Sequence, residues 1–288
     1  MVFLQGACSM RCPFCATETR VETMTPDVLV TLLDALARAG TQNLVLGGGE
    51  PAEWPWGWQT ACHLARERGF FVQLGTAGAA LDPGFERVTW VDRFVLPLDG
   101  DTSALHNRFR PMGSRIGVPP DRAARFYERI GGTEPPTGHF AVIMDRLAAL
   151  ADVGREVTLS TVVNRESLDT MDRLAALVCR ISRCLPVHAW HLYRFISSGR
   201  GGERTADRFS IAHDTFDEVV TRTRALIPAV RIFKRSDMRL SRDVDFFWLE
   251  EGGIVRGLDT WQRCVPVMIG ATDASTVIAD CKSSRDAS

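Results

Sequence analysis

From residue 2 to about residue 235 the chain alternates between short apolar runs and longer amphipathic ones. Strands are expected at 2–5, 43–46, 70–74, 93–98, 156–163, 187–195 and 229–233. Helices are expected between them, at 57–68, 102–109, 121–130, 139–152, 167–183 and 213–226. The first helix, ahead of these, is the best marked. Thr25 is placed to cap it, Pro26 suits the first helical position, Leu29, Leu32, Leu33 and Leu36 recur on one face, and Gly40 stops it. Parallel strands need crossover connections, so this order predicts an α/β chain with a parallel sheet. Six strand–helix units are too few for the usual closed barrel of roughly 250 residues, which leaves a partial barrel or an open sheet. In either, the loops after the strands' C-terminal ends hold the chemistry. Residues 1–235 therefore read as one core. Residues 236–288 read as an extension in which 245–249 and 254–256 flank Gly252-Gly253 as a hairpin, placed to cap the open barrel.

Composition narrows the function classes. The formal net charge of −1 gives no global field for nucleic acid or an anionic membrane. No uncharged apolar stretch is long enough to span a bilayer, and the first ten residues lack the basic flank and apolar core of a secretory signal. Eight cysteines, at 8, 12, 15, 62, 179, 184, 264 and 281, therefore point to a reducing, cytoplasmic setting, where clustered thiols mean metal or redox chemistry.

Cys8, Cys12 and Cys15 follow the first strand with C-x3-C-x2-C spacing. A structural zinc site closes with four ligands, so zinc here needs a fourth from elsewhere, such as His63. A cubane [4Fe–4S] cluster on three thiolates keeps one iron free for a small chelating molecule. Ordinary reduced loop thiols are the plain alternative. Gly48-Gly49-Glu50-Pro51 closes the second strand at the same rim. Glycines there let a ligand approach the main chain, and exposed carbonyls with the Glu50 carboxylate can accept from an ammonium group.

With these two motifs on successive strands, the sequence resembles the radical SAM superfamily. The carrying residues are Cys8-Ser9-Met10-Arg11-Cys12-Pro13-Phe14-Cys15 and Gly48-Gly49-Glu50-Pro51. Leu98-Asp99-Gly100, followed by His106-Asn107 and Arg110, is similar to a pattern of the branch that includes the molybdenum-cofactor cyclase and the peptide maturases. The resemblance covers residues 1 to about 235. It implies a partial (β/α)6 barrel and a [4Fe–4S] cluster on Cys8, Cys12 and Cys15 whose fourth iron chelates S-adenosylmethionine. It implies that Gly48, Gly49 and Glu50 receive the methionine ammonium, that Phe14 lies near the adenine, and that Ser160 or Asn164 meets the ribose. Pro97 stands where a small polar residue often contacts the cofactor. The implied chemistry is reductive cleavage to a 5′-deoxyadenosyl radical that abstracts hydrogen from substrate, fed by a one-electron donor such as a flavodoxin or ferredoxin.

The substrate is less constrained. Because the motif begins almost at residue 1, a small-molecule substrate is expected, with a peptide-modifying maturase as the alternative and a non-catalytic zinc or iron–sulfur protein as the rival from another class. Asp99, His106, Arg110, Arg194 and Arg200 are candidate substrate contacts. Arg108, Arg110, Arg115, Arg122, Arg125 and Arg129 could form an anion-binding lid, or simply a solvated face. Cys179, Cys184, Cys264 and Cys281 are expected as core thiols rather than a second cluster, and Trp54, Trp56 and Trp58 as packing residues.

Overall fold

The leucine stripe of the first helix needs an apolar surface, and the strands supply it. A computed structural model describes residues 1–112, 120–241, 244–258, 262–263 and 267–268. Strand β1 (Val2–Gln5) leads through the cysteine loop to helix α1 (Pro26–Arg38). There follow β2 (Asn43–Gly48), α2 (Trp58–Glu67), β3 (Phe71–Gly75), β4 (Arg93–Pro97), α3 (Ser103–Phe109), α4 (Pro120–Arg129), α5 (Gly138–Asp152) and β5 (Val157–Val163). Next come α6 (Met171–Ser182), β6 (Val187–Arg194), α7 (Gly199–Gly202), α8 (Ala206–Phe209), α9 (His213–Leu226) and β7 (Ile232–Arg235). The last part holds β8 (Phe246–Glu250), β9 (Gly253–Leu258), β10 (Gln262–Arg263) and β11 (Val267–Met268).

Strands β1 to β7 pair in sequence order, all parallel, in an open sheet. The seven strands expected in residues 1–235 are thus all present and all parallel. The β8–β9 hairpin forms as expected, and β8 continues the sheet by pairing in parallel with the outer edge of β1. In α1 the Thr25 hydroxyl accepts from the Val28 amide at 3.4 Å, and Leu29, Leu32, Leu33 and Leu36 are buried. Gly40, at φ 77°, releases the chain after the helix, a conformation costly for a residue with Cβ.

The main core lies between the outer faces of the strands and the helices. Trp190 and Leu192 of β6 point into it, so His191 and Tyr193 must face the other way, into the barrel. Helix 167–183 begins with a 3₁₀ turn at Leu168–Thr170, and Cys184 lies just beyond the end of α6. The strand expected at 229–233 is displaced to Ile232–Arg235. The larger surprise is at 197–202, read as loop, where Gly199–Gly202 forms a short helical turn. Among the described residues no helix is long and apolar enough to cross a membrane.

Candidate active site

The loop after β1 is held from three sides. Its turn closes through the Cys15 amide, which donates to the Cys12 carbonyl at 3.1 Å. Glu53, beyond the Gly-Gly-Glu turn, accepts from the Ser9 amide at 2.9 Å and from the Ser9 hydroxyl. From the far side, Gly201 and Gly202 donate their amides to the Cys15 carbonyl, at 3.0 and 3.2 Å, and the Arg200 amide donates to Thr17 O. Thr205 Oγ1 donates to Pro13 O at 2.8 Å. This docking explains Gly199 and Gly201. A Cβ on Gly201 would stand 2.6 Å from the Cys12 carbonyl oxygen, and one on Gly199 2.3 Å from the Ala16 carbonyl carbon.

Cys8, Cys12 and Cys15 all line one cavity of about 620 Å3. Burial pushes the Cys8 thiol up to about 12 and raises Cys12 as well, with Arg110 pulling Cys12 the other way. Thiolates there need compensating positive charge. Two guanidinium groups are aimed at them: Arg200 Nε lies 3.3 Å from Cys15 Sγ, and an Arg110 terminal nitrogen 3.8 Å from Cys12 Sγ. Among the described residues no three His, Cys, Asp or Glu side chains converge on a point that could hold a single ion. Three thiols around a shared cavity, bracketed by two cations, fit a larger anionic cluster better than a closed zinc site.

The turn after β2 crosses this loop closely. The Gly49 amide donates to Gln5 O at 2.7 Å and the Glu50 amide to Ala7 O at 2.8 Å, while Thr17 Oγ1 donates to Gly48 O at 2.9 Å. A Cβ on Gly49 would sit 2.0 Å from the Ala7 carbonyl oxygen, and one on Gly48, at φ 120°, 2.5 Å from Gln5 O. The glycines are therefore already required by the chain's own backbone crossing, ahead of any approach by a ligand. Glu50 is fully buried and accepts from the Ala52 amide at 2.9 Å, the Ala77 amide at 2.7 Å and the Thr76 hydroxyl. Burial raises its carboxyl to about 7 against the pull of those donors. Gly48, Gly49 and Glu50 all line the cavity.

Asp99 organises the neighbouring rim. It accepts from Arg110 Nε at 2.6 Å and from the Val162 amide at 2.7 Å, so it ties the end of β4 to β5. Arg110 also lies 5.0 Å over the Phe14 ring, which packs in a buried cluster with Phe109, Phe195 and Phe209. The Asp99 amide donates to His106 Nδ1 at 3.1 Å. His106 Nε2 meets His139 Nδ1 at 2.8 Å, and His139 Nε2 meets Ala77 O at 2.8 Å. A chain that starts on an amide and ends on a carbonyl leaves one assignment: both rings are neutral and carry their proton on Nε2. Burial holds His106 well below the ordinary value and brings His139 to about 3.

Of the expected contacts, Ser160, Arg110, Arg194 and Arg200 line the cavity, whereas Asp99, His106 and Asn164 do not. Asn164 is buried in the turn after β5, where its side chain accepts from the Glu166 amide at 3.0 Å. Ser160 stands beside Pro97 in strand register. Arg194 is occupied by the Ser236 and Ile211 carbonyls, at 2.9 and 3.2 Å, and lies 3.8 Å from Asp237. Within the described part of the arginine-rich segment, Arg110 pairs with Asp99, Arg108 with Glu166 and Arg122 with Asp145, while Arg115 lies outside the described residues. Trp54 and Trp58 are buried and Trp56 rests on Trp54. Cys179 and Cys184 are half-buried at the core's edge, and Cys264 and Cys281 lie outside the described residues. Sequence reading missed Thr76, Glu53 and His139, which are ordinary residue types whose partners lie far along the chain.

Likeness to known proteins bears on this arrangement. The chain is 28% identical over 201 residues to the PqqA peptide cyclase of Ruegeria pomeroyi, covering 65% of this chain and 47% of that protein. It is 24% identical over 207 residues to the AdoMet-dependent heme synthase of Methanosarcina barkeri, covering 69% of this chain and 51% of that one. The chain thus spans about half the length of these curated relatives. In fold it is similar to Streptococcus suis SuiB bound to its precursor peptide SuiA, with a TM-score of 0.61, 12% identity, and 82% of this chain and 48% of that chain covered. It is also similar to anSMEcpe with bound AdoMet and the Kp18Cys peptide, with a TM-score of 0.57, 12% identity, and 82% and 63% covered. Residues 2–178 match the Radical SAM superfamily. The open parallel sheet and its thiol-lined rim are accounted for together: the chain belongs to the radical SAM superfamily, enzymes whose cofactors are a [4Fe–4S] cluster and S-adenosylmethionine.

Proposed function

We propose that the chain carries the core of a peptide-modifying radical SAM enzyme, with Cys8, Cys12 and Cys15 as the cluster ligands. The observation that carries the substrate class is the 28% identity to a peptide cyclase over 201 residues. It supports the peptide-modifying alternative over the small-molecule substrate expected first from the sequence. Bound at this rim and reduced by a one-electron donor such as a flavodoxin or ferredoxin, the cofactors supply a 5′-deoxyadenosyl radical.

The chain's own residues hold and shelter that chemistry. The Gly49 carbonyl and the cavity-facing side of Glu50 are suited to a ligand ammonium, and Ser160 to a hydroxyl. Phe14, stiffened by Arg110 and the phenylalanine cluster, offers an apolar face to a purine ring. Met238, Val244, Phe246 and Phe247 of the extension contribute apolar wall to the same cavity, which supports a role in excluding water.

The test is direct. Anaerobically reconstituted, reduced protein is mixed with S-adenosylmethionine and either precursor peptides or haem precursors, and products are followed by mass spectrometry. Formation of 5′-deoxyadenosine with a covalent mass change in a peptide is expected. Nucleoside formation coupled only to the haem precursor would overturn the substrate class, and none at all the cluster assignment.

Arg200 gives a second check, independent of turnover. Its hydrogen bond to Cys15 Sγ favours the more negative, reduced state of whatever the thiolate ligates. Arg200→Gln is expected to lower the cluster's reduction potential by on the order of 50 mV, the electrical equivalent of about 1 kcal/mol in a one-electron couple. Arg200→Lys should recover part of the shift in an EPR-monitored redox titration. An unchanged potential in both would remove Arg200 from the cluster's surroundings.

A further inference from the structure

The wall of the cavity formed by β6 and β7 has a feature that the cofactor-binding residues proposed above do not include. Strand register sets His191 beside Phe233 and Tyr193 beside Arg235 on the face that looks into the barrel. The His191 ring meets Phe233 edge-on with centroids 5.1 Å apart, and the Arg235 guanidinium lies 5.4 Å from the Phe233 centroid. Tyr193 Oη lies 3.3 Å from His191 Nδ1, so the two share a proton next to the guanidinium.

Arg235 is the odd member. Its Nε is buried and has no hydrogen-bond partner among the described residues. The neighbouring carboxylates are engaged elsewhere: Asp217 with Lys234 on the outer face, Asp237 with Arg239, and Asp245 with Arg256. The other cavity arginines differ in this respect. Arg110 has Asp99, Arg200 has Cys15 and the Gly6 carbonyl, and Arg194 has two carbonyls. Arg235 as a whole is half-buried in the cavity wall and forms no ion pair among the described residues, and its planar fork matches a carboxylate.

We propose that Arg235, with Tyr193 beside it, forms a subsite for a carboxylate of the substrate, held inside the barrel in the cavity that the cysteines also line. The proposal rests on the peptide reading above, in which the carboxylate belongs either to an acidic side chain or to a chain terminus. The Phe233 ring against the guanidinium, with Tyr193 next to it in register, favours a group delivered on an aliphatic stem over a free, hydrated anion.

The experiment needs neither cluster nor turnover. Three probes of nearly equal size are titrated into apoprotein carrying 15N-arginine: N-acetylglutamate α-amide, N-acetylglutamine with a free α-carboxylate, and neutral N-acetylglutamine amide. The Arg235 Nε–H resonance, assigned by its loss in Arg235→Gln, is the readout. At least one acid is expected to shift it and to bind at least tenfold more tightly than the neutral amide. The preferred acid distinguishes a side-chain from a terminal carboxylate. Arg235→Gln should abolish that preference, Arg235→Lys should keep part of it, and Tyr193→Phe should weaken it. Amide spectra confirm that each variant is folded, and the lysine variant covers the case in which glutamine is not tolerated. Equal binding of acid and amide, binding without a shift at Arg235, or no binding of either acid would overturn the subsite. Carboxylate binding by protein that modifies no peptide would overturn only the substrate class.

Discussion

Gly49→Ala is expected to remove the site without touching a thiol or a charge. The added methyl would sit 2.0 Å from the Ala7 carbonyl oxygen and close to Gly6 O, at 2.5 Å. Both are backbone atoms, and both belong to the segment that launches the cysteine loop. The Gly49 and Glu50 amides donate to Gln5 O and Ala7 O, so relieving the clash means breaking the bonds that set the loop's position. Overpacking of this kind costs about 3 kcal/mol or more when the neighbour cannot yield. The measurable result is a lower melting temperature together with substoichiometric iron after reconstitution, and S-adenosylmethionine cleavage reduced by at least about a hundredfold, since a small misplacement of reacting groups has that effect. Gly75→Ala is the control for stability. On the same rim, its methyl would make only ordinary contacts, 3.7 Å from Leu46 O and 3.8 Å from Val45 Cγ1. Equal melting and iron content in the two variants would show that the crossing tolerates a side chain.

That glycine also illustrates what could be read in advance. The Gly-Gly-Glu turn and the cysteine triplet were legible because each is a local pattern at a strand end, and α1 because its cap, proline and leucine stripe lie within fifteen or so residues of one another. The reason for the glycines was not legible: it depends on Gly6 and Ala7, more than forty positions away. The 199–202 segment is a stronger case. Three glycines in four residues argue for loop by propensity, and the helical turn exists because its amides are drawn onto the Cys15 and Thr17 carbonyls. His106 stood out through its motif, yet its role comes from His139, thirty-three residues on, whose own surroundings look like any helix start. Long-range partners decide these positions, and local pattern carries no record of them.

The same histidine pair sets an expected acid sensitivity of the fold. Each ring already uses Nδ1 as an acceptor, from the Asp99 amide in one case and from His106 Nε2 in the other. Adding a proton to either Nδ1 sets donor against donor in a fully buried site, so both rings stay neutral in the native state. In the unfolded chain they titrate near 6.5. The unfolded state therefore binds more protons below that pH, and stability falls as pH drops from about 6.5 toward the native value, about 3 for His139. The two rings together should cost about 2.7 kcal/mol per pH unit near pH 5, where both are charged in the unfolded chain, and less nearer pH 7.5. Glu50 acts in the opposite sense, since burial raises its carboxyl to about 7 and it gains a proton on folding between there and its ordinary range. His191, which burial lowers to about 4, adds to the loss. The pair's share is isolated by difference. Urea unfolding of apoprotein at pH 7.5 and pH 5 is compared with a His106→Asn, His139→Gln variant, whose amide side chains can hydrogen-bond in these places without titrating. The variant is expected to be less stable at pH 7.5 and to have a pH slope shallower by about 2 kcal/mol per unit. Parallel slopes for the two proteins would mean that both rings take up their protons in the native state as they do in the unfolded chain, and the hydrogen-bond chain from Asp99 to Ala77 would have to be redrawn.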